Sequence, residues 1–313
     1  MKKILITGGT GFIGSHLAEK CIQKGYQVTV FDRYNVNYNL GNLSNSIFRK
    51  KIKFVFGDIR DFDSVDNVVK KNDIILHLAA LIGIPYSYIS PNAYIKTNIE
   101  GTYNILESAK KNKCSKVFVT STSEVYGSAK YMPIDENHPL QPQSPYSASK
   151  IAADNLALSY YYSFNLPVAI IRPFNTYGPR QSQRAVIPTI INQILNTKDN
   201  FIELGNLTPT RDFSYVTDIC EGFIKAINSK NLSGEVINLG TGNNFSIKKI
   251  AQLISKLIKR EIKFKKSNLR FRPKKSEVQN LCSSIKKAKK KLNWKPKYTG
   301  VKGFERGLLE TIE

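Results

Sequence analysis

Tyr146 and Lys150 stand four residues apart in Ser144-Pro145-Tyr146-Ser147-Ala148-Ser149-Lys150. The segment reads as a helix start: Ser144 can cap, and Pro145 suits the first helical position. The phenol and the ammonium then share one face of one turn. A free tyrosine has a pKa of about 10, and a nearby ammonium together with a positive nicotinamide ring would lower it by charge attraction. Such a phenolate can take a hydroxyl proton as hydride leaves the same carbon. Alone, the pair would be an exposed Tyr and Lys on a helix. It gains weight from Thr120-Ser121-Thr122-Ser123-Glu124-Val125-Tyr126-Gly127, which follows a strand-like run. In doubly wound sheets the carboxyl ends of strands are where ligands bind. Thr122 can hydrogen-bond the reacting hydroxyl, Ser123 brings a second hydroxyl, and Glu124 brings a carboxylate.

A departing hydride needs an acceptor. Thr7-Gly8-Gly9-Thr10-Gly11-Phe12-Ile13-Gly14 follows a short apolar strand and opens a helix. Gly8, Gly11 and Gly14 keep G-x-x-G-x-x-G spacing, and Gly9, Gly11 and Gly14 also match G-x-G-x-x-G. Small residues let the chain turn tightly and let a pyrophosphate reach the helix N-terminus, where free N–H groups favour anions. Asp32 ends the second strand, placed to accept hydrogen bonds from an adenosine ribose. A carboxylate there repels a 2′-phosphate, so NAD is expected rather than NADP, although Arg33 stands beside it. Asp58-Ile59, after the third strand, is placed to flank the adenine. Leu78-Ala79-Ala80, after the fourth, offers small residues for close backbone approach. His77 reads as a packed strand residue.

The elements that must position these groups alternate. Lys3–Thr7, Gln27–Asp32, Lys53–Gly57, Ile74–Leu78, Lys116–Ser121 and Val168–Arg172 read as strands. Ser15–Lys24, Asp63–Lys71, Ala93–Asn112 and Pro145–Asn165 read as helices between them. Apolar strands alternating with helices predict a parallel sheet covered on both faces, a doubly wound Rossmann-type α/β fold. The expected division is a dinucleotide-binding domain over residues 1–173 and a smaller, mixed, mainly substrate-binding region over 174–313. Ile187–Asn196, Thr217–Asn228 and Ser246–Arg260 are helical there, and Glu235–Leu239 is a strand returning to the sheet.

The bulk properties exclude several classes. At 313 residues and 41% hydrophobic, the chain can bury a large core. No apolar run reaches the roughly 20 residues a membrane helix needs, and Met1-Lys2-Lys3 leads straight into a strand, so a cytoplasmic protein is expected. Cys21, Cys114, Cys220 and Cys282 are widely spaced, which predicts neither a metal site nor disulfides. The net charge of +23 suggests nucleic acid. Yet the excess is mostly Lys, much of it C-terminal, and aromatics do not interleave with it as on a base-stacking platform. A solvated surface is expected, with a field favouring an anionic substrate.

With these residues in place, the chain resembles the extended short-chain dehydrogenases, the NAD-dependent epimerase/dehydratase family acting on nucleotide sugars. The resemblance spans nearly the whole length. It rests on Gly8–Gly14, Asp58-Ile59, Ala79-Ala80, Thr97-Asn98, Thr120–Gly127, Tyr146/Lys150, Arg172-Pro173-Phe174-Asn175, Arg211-Asp212-Phe213 and Arg272-Pro273. It implies that Gly8, Gly11, Phe12, Ile13 and Gly14 carry the pyrophosphate, that Asp32 holds a ribose, and that Asp58 and Ile59 hold adenine. Leu78, Ala79, Ala80, Asn98, Thr120 and Pro173 would complete the NAD site. Tyr146 would be the base, with Lys150 orienting the nicotinamide ribose. Thr122 and Asn175 would contact substrate, and Arg211 and Arg272 would clamp its phosphates. A homodimer formed through the Ala93–Asn112 and Pro145–Asn165 helices is also implied.

Within that family, Thr122-Ser123-Glu124 narrows the reaction. Simple 4-epimerases commonly carry small residues there, hexose 4,6-dehydratases look like Thr-Asp-Glu, and glucuronate decarboxylases look like Thr-Ser-Glu. The Tyr-Ser-Ala-Ser-Lys segment is unlike the decarboxylases. The stretch from Thr120 to Gln181 resembles the nucleotide-linked N-acetylglucosamine 4,6-dehydratases of the legionaminic acid pathway. The expected substrate is thus GDP- or UDP-N-acetylglucosamine, dehydrated with tightly bound NAD. A 4-epimerase and a nucleotide-glucuronate decarboxylase are the alternatives.

Overall fold

A computed structural model describes residues 2–267 and 272–313. The main sheet has seven strands: β1 (Lys3–Thr7), β2 (Gln27–Arg33), β3 (Ile52–Gly57), β4 (Ile74–His77), β5 (Lys116–Thr120), β6 (Val168–Pro173) and a late strand, Val236–Leu239. Asn175–Tyr177 is β7, Phe201–Leu204 β8 and Thr210–Tyr215 β9, which makes the late strand β10; Asn244–Ser246 is β11 and Lys263–Lys266 β12. The main sheet runs β10-β6-β5-β4-β1-β2-β3, and every pairing in it is parallel. The strands are apolar on both faces because both faces are covered: Ile4, Leu5 and Ile6 are all fully buried. One face packs against helices Phe12–Gln23 and Val216–Asn228, the other against Phe62–Val69, Gly101–Lys111 and Pro145–Phe164. The expected doubly wound fold is present.

The chain enters at β1, builds outward to β3, then crosses back to β4 on the other side of β1. That reversal opens a crevice at the carboxyl ends of β1 and β4, where such sheets take ligands. Beyond β6 the chain builds a three-stranded sheet, β11-β9-β7, and a parallel pair, β12-β8. A separate core covers them, centred on Ile187, Ile190, Phe213, Ile250 and Phe304. β10 then returns to pair with β6. No described helix is long and apolar enough to cross a membrane.

Two elements differ from the sequence reading. The helix expected over Ala93–Asn112 is three pieces: Pro91–Tyr94, a wider π-helical turn over Ile95–Glu100, and Gly101–Lys111. The wider turn sets Asn98 toward Leu81, whose N–H and C=O it bonds at 2.8 and 3.0 Å. The lysines of Lys263–Lys266 are exposed, as a solvated surface requires, but the segment is a strand, β12, with Phe264 paired to Ile202.

Candidate active site

The glycine loop is held by backbone contact. Gly8 has φ +69°, and a Cβ there would lie 2.9 Å from Ala79 Cα. A Cβ on Gly14 would lie 2.2 Å from the Gly8 carbonyl oxygen. The loop therefore closes against the residue after β4 and against its own helix, with Phe12 and Ile13 half-buried at the helix start. Thr7 ties the two strand ends together: its Oγ1 accepts from the Leu78 and Ala79 N–H groups at 3.2 and 3.1 Å. His77 lies between Thr7 and Thr102, bonded to both, and burial pushes its pKa down to about 3. It is a neutral strand residue.

Asp32 faces this loop from the end of β2. Its Oδ2 accepts from Thr10 N and Oγ1 at 2.9 and 2.5 Å, and its Oδ1 from Arg33 N at 2.8 Å. Asp58 is engaged differently: Arg60 closes on its carboxylate from Nε and Nη2 and holds it below the usual carboxylate range. Ile59 is buried under Gly101, where a Cβ would meet its Cδ1 at 2.7 Å. Ala80 is half-buried at the crevice, and Pro173 is buried at the end of β6. Asn98 donates to Ser149 Oγ at 2.9 Å, joining the π-helical turn to the helix of Tyr146 and Lys150.

That helix begins where the sequence indicates. Ser144 caps it by accepting from Ser147 N at 3.0 Å, and Pro145 occupies the first turn. Tyr146 and Lys150 are both buried, at 7% and 4% exposure. Lys150 Nζ donates to the Thr120 carbonyl at 2.6 Å, fixing it to the end of β5, while Thr120 Oγ1 has no partner. Tyr94 meets the Tyr146 ring edge-on at 6.2 Å between centroids. Burial pushes the Tyr146 phenol well above its ordinary value; the Thr122 hydroxyl opposes this, and Glu124, Tyr94 and Asp154 add to it. Lys150 is pushed down by burial and back up by Asp154. The lowered tyrosine pKa expected from charge spacing is therefore not produced by the chain's own groups, because desolvation outweighs them.

Thr122 caps the short turn Ser123–Tyr126, accepting from Glu124 N at 3.2 Å. Ser147 Oγ donates to the Glu124 carbonyl at 2.7 Å, locking this turn to the Tyr146 helix. Ser123 and Glu124 are both buried. Glu124 Oε2 lies 3.4 Å from Arg272 Nη1. Arg211, on β9, donates to the Thr210 and Gln279 carbonyls at 3.0 and 3.3 Å and lies 3.5 Å from Glu277. Burial lowers its pKa, and it feels both Glu124 and Arg272. Asn175 is half-buried at the start of β7, and its Oδ1 has no hydrogen-bond partner among the described residues. The carboxylate and the two arginines thus meet at one end of the crevice.

One buried network escaped the sequence reading. Arg172 on β6 pairs with Asp154 at 2.9 Å, Asp154 also accepts from Ser121 Oγ at 2.6 Å, and Arg172 reaches Tyr126 Oη at 2.9 Å. Tyr126 donates in turn to Asn238 on β10. Asp154 lies one helical turn after Lys150, on the same face, and that spacing was the available signal. Its partners come from β5 and β6 and give no local pattern.

Comparisons with known proteins accord with this geometry. Residues 5–306 match the model of a family described as GDP-mannose 4,6 dehydratase. The chain belongs to the extended short-chain dehydrogenases, the NAD-dependent epimerase/dehydratase family. A putative UDP-glucose 4-epimerase of Methanocaldococcus jannaschii is 37% identical, over 97% of this chain and 96% of that protein. The UDP-N-acetyl-alpha-D-glucosaminuronate decarboxylase of Bacillus cytotoxicus is 34% identical, over 100% of this chain and 97% of that one. The dTDP-glucose 4,6-dehydratase DesIV of Streptomyces venezuelae, solved with NAD bound, superposes with a TM-score of 0.87 at 27% identity, covering 98% of this chain and 95% of that one. This epimerase/dehydratase member therefore has relatives whose names span three reactions of nucleotide sugars. Among its described residues, no group of His, Cys, Asp or Glu is arranged as metal ligands.

Proposed function

We propose that the enzyme is a nucleotide-sugar 4,6-dehydratase, acting on GDP- or UDP-N-acetylglucosamine with tightly bound NAD. The observation that carries the reading is Glu124, a buried carboxylate held by the Thr122 turn against the helix of Tyr146. A simple 4-epimerisation has no proton for such a group to move. The tight turn that Gly8 and Gly14 allow, where a Cβ would strike Ala79 or the Gly8 carbonyl, and Asp32 facing the loop suit a dinucleotide. NAD would supply the redox chemistry, taking a hydride from sugar C4 and returning one at C6, so that none is consumed.

The chain's own residues move the protons. Tyr146 Oη takes the proton of the C4 hydroxyl, with Thr122 hydrogen-bonded to the same oxygen. Its raised pKa favours the neutral phenol, and the positive charge of oxidised nicotinamide would oppose that. Lys150, tied to the Thr120 carbonyl, orients the neighbouring ribose. Once C4 is a ketone the C5 hydrogen is acidic, and Glu124 takes it. The same proton leaves with the C6 hydroxyl as water, because the Ser123 hydroxyl is too weak an acid for that task. After a hydride returns at C6 the C5 carbon takes a proton back, and release of the proton held by Tyr146 balances it. Asn175, Arg211 and Arg272 hold the diphosphate. Exposed Tyr103, Tyr162 and Phe164, on the helices 101–111 and 145–164, suit pairing with a second copy.

A second reading is 4-epimerisation, with Glu124 serving only as the partner of Arg272; their ion pair favours it. Incubation with UDP- and GDP-linked sugars, read by product mass, separates the possibilities. Loss of water is expected. An isomer of unchanged mass would replace this reading with epimerisation, and loss of carbon dioxide with decarboxylation.

A further inference from the structure

Four charges from three distant segments meet beside the Tyr146 helix: Glu124, Arg211, and the nearby Arg272 and Glu277. The two arginines are held very differently. Arg211 is 5% exposed and donates to two backbone carbonyls, so moving it would leave both without that donor. Arg272 has 26% of its side chain exposed, and among the described residues its ion-pair contact is one 3.4 Å approach to Glu124. A single long contact near solvent is weak. A diphosphate offers a guanidinium several oxygens and a two-pronged geometry, which is stronger.

We propose that Arg272 is shared between Glu124 and the substrate's diphosphate, so that arrival of the diphosphate takes the arginine away and frees the carboxylate. This rests on the dehydratase reading above. While paired, Glu124 is partly neutralised and one of its oxygens is covered. A base in that state is poorly placed to take a proton from sugar C5. Handing Arg272 to the incoming phosphates uncovers it only when a nucleotide-linked substrate is present. Arg211, fixed by Thr210 and Gln279, stays as the cation nearest both anions.

The handover makes Glu124 a competitor of the diphosphate, which has an unusual consequence: removing the carboxylate should tighten nucleotide binding. The test is titration calorimetry of UDP, GDP and dTDP with the NAD-loaded protein, its Glu124→Gln and Arg272→Gln variants, and the double variant. Glu124→Gln is expected to bind the preferred diphosphate about threefold to fivefold tighter, the strength of a half-exposed ion pair. Arg272→Gln should bind it more weakly. In the Arg272→Gln background the gain from Glu124→Gln should vanish, since coupling between two groups disappears when either is absent. If Glu124→Gln binds no tighter, or gains equally with Arg272 replaced, the handover is wrong, the latter outcome being plain long-range repulsion. If none of the three diphosphates binds the native protein, the nucleotide-sugar reading itself fails.

Discussion

The two ends of the crevice are built on different principles. The cradle at β1, β2 and β4 is a short glycine loop closed mostly by backbone: Gly8 closes on Ala79 and Gly14 on Gly8, while the Asp32 carboxylate takes the Thr10 N–H. The opposite end, around Glu124, is made of side chains brought from far apart, with 148 residues separating Glu124 from Arg272. The first end tolerates no added atom, whereas the second depends on where charge is placed. In the proposed reaction the common step, oxidation of a hydroxyl, belongs with the rigid end and with Tyr146. The fate of the ketone belongs to the assembled end, which accords with a shared fold among relatives whose names report different reactions.

Substitutions should separate the two ends. The largest effect is expected from Tyr146→Phe, which sits where the ends meet. Turnover should fall by about 10² to 10⁴, while NAD affinity, read by calorimetry, changes little; equal loss of both would merge the two ends into one. Next comes Gly14→Val. Its added atoms meet the Gly8 carbonyl, so NAD retention should drop on the order of a hundredfold, and near-native cofactor content in the purified variant would break the backbone account of the cradle. The smallest effect is expected from Asp32→Asn. Loss of the charged acceptor should weaken NAD by about tenfold and narrow its advantage over NADP. An unchanged NAD to NADP ratio in a binding titration would remove Asp32 from cofactor choice.

The same contrast decides what could be read from the sequence. The glycine spacing lies within seven residues, and Asp32 is marked by the end of an apolar run, so the fold and the cradle were legible. Ser144, Pro145, Tyr146 and Lys150 were legible as a capped first turn. Glu124 was marked by the polar run after β5, whereas Arg211 and Arg272 could be named only through the family resemblance, and the pairing of the three, with Glu277 as a fourth member, was invisible because contacts across such separations leave no periodicity. The π-helical turn at Asn98 left the apolar pattern of the surrounding helix nearly unchanged. Spacing shows the charged neighbours of Tyr146 but not the loss of water around it, which in the chain alone pushes its pKa up. Asp58, expected beside the adenine, also pairs with Arg60 two residues on, a contact the sequence reading did not name.

The central claim is that Glu124 moves the C5 proton. Its most direct test is Glu124→Gln, incubated with the nucleotide sugar that the native enzyme dehydrates and a C4-deuterated form of it, followed by mass spectrometry and NMR. The expected result is no loss of water, with oxidation and reduction at C4 still proceeding slowly, seen as movement of the C4 deuterium. Water loss at the native rate would contradict the account and leave Glu124 as no more than a partner for Arg272.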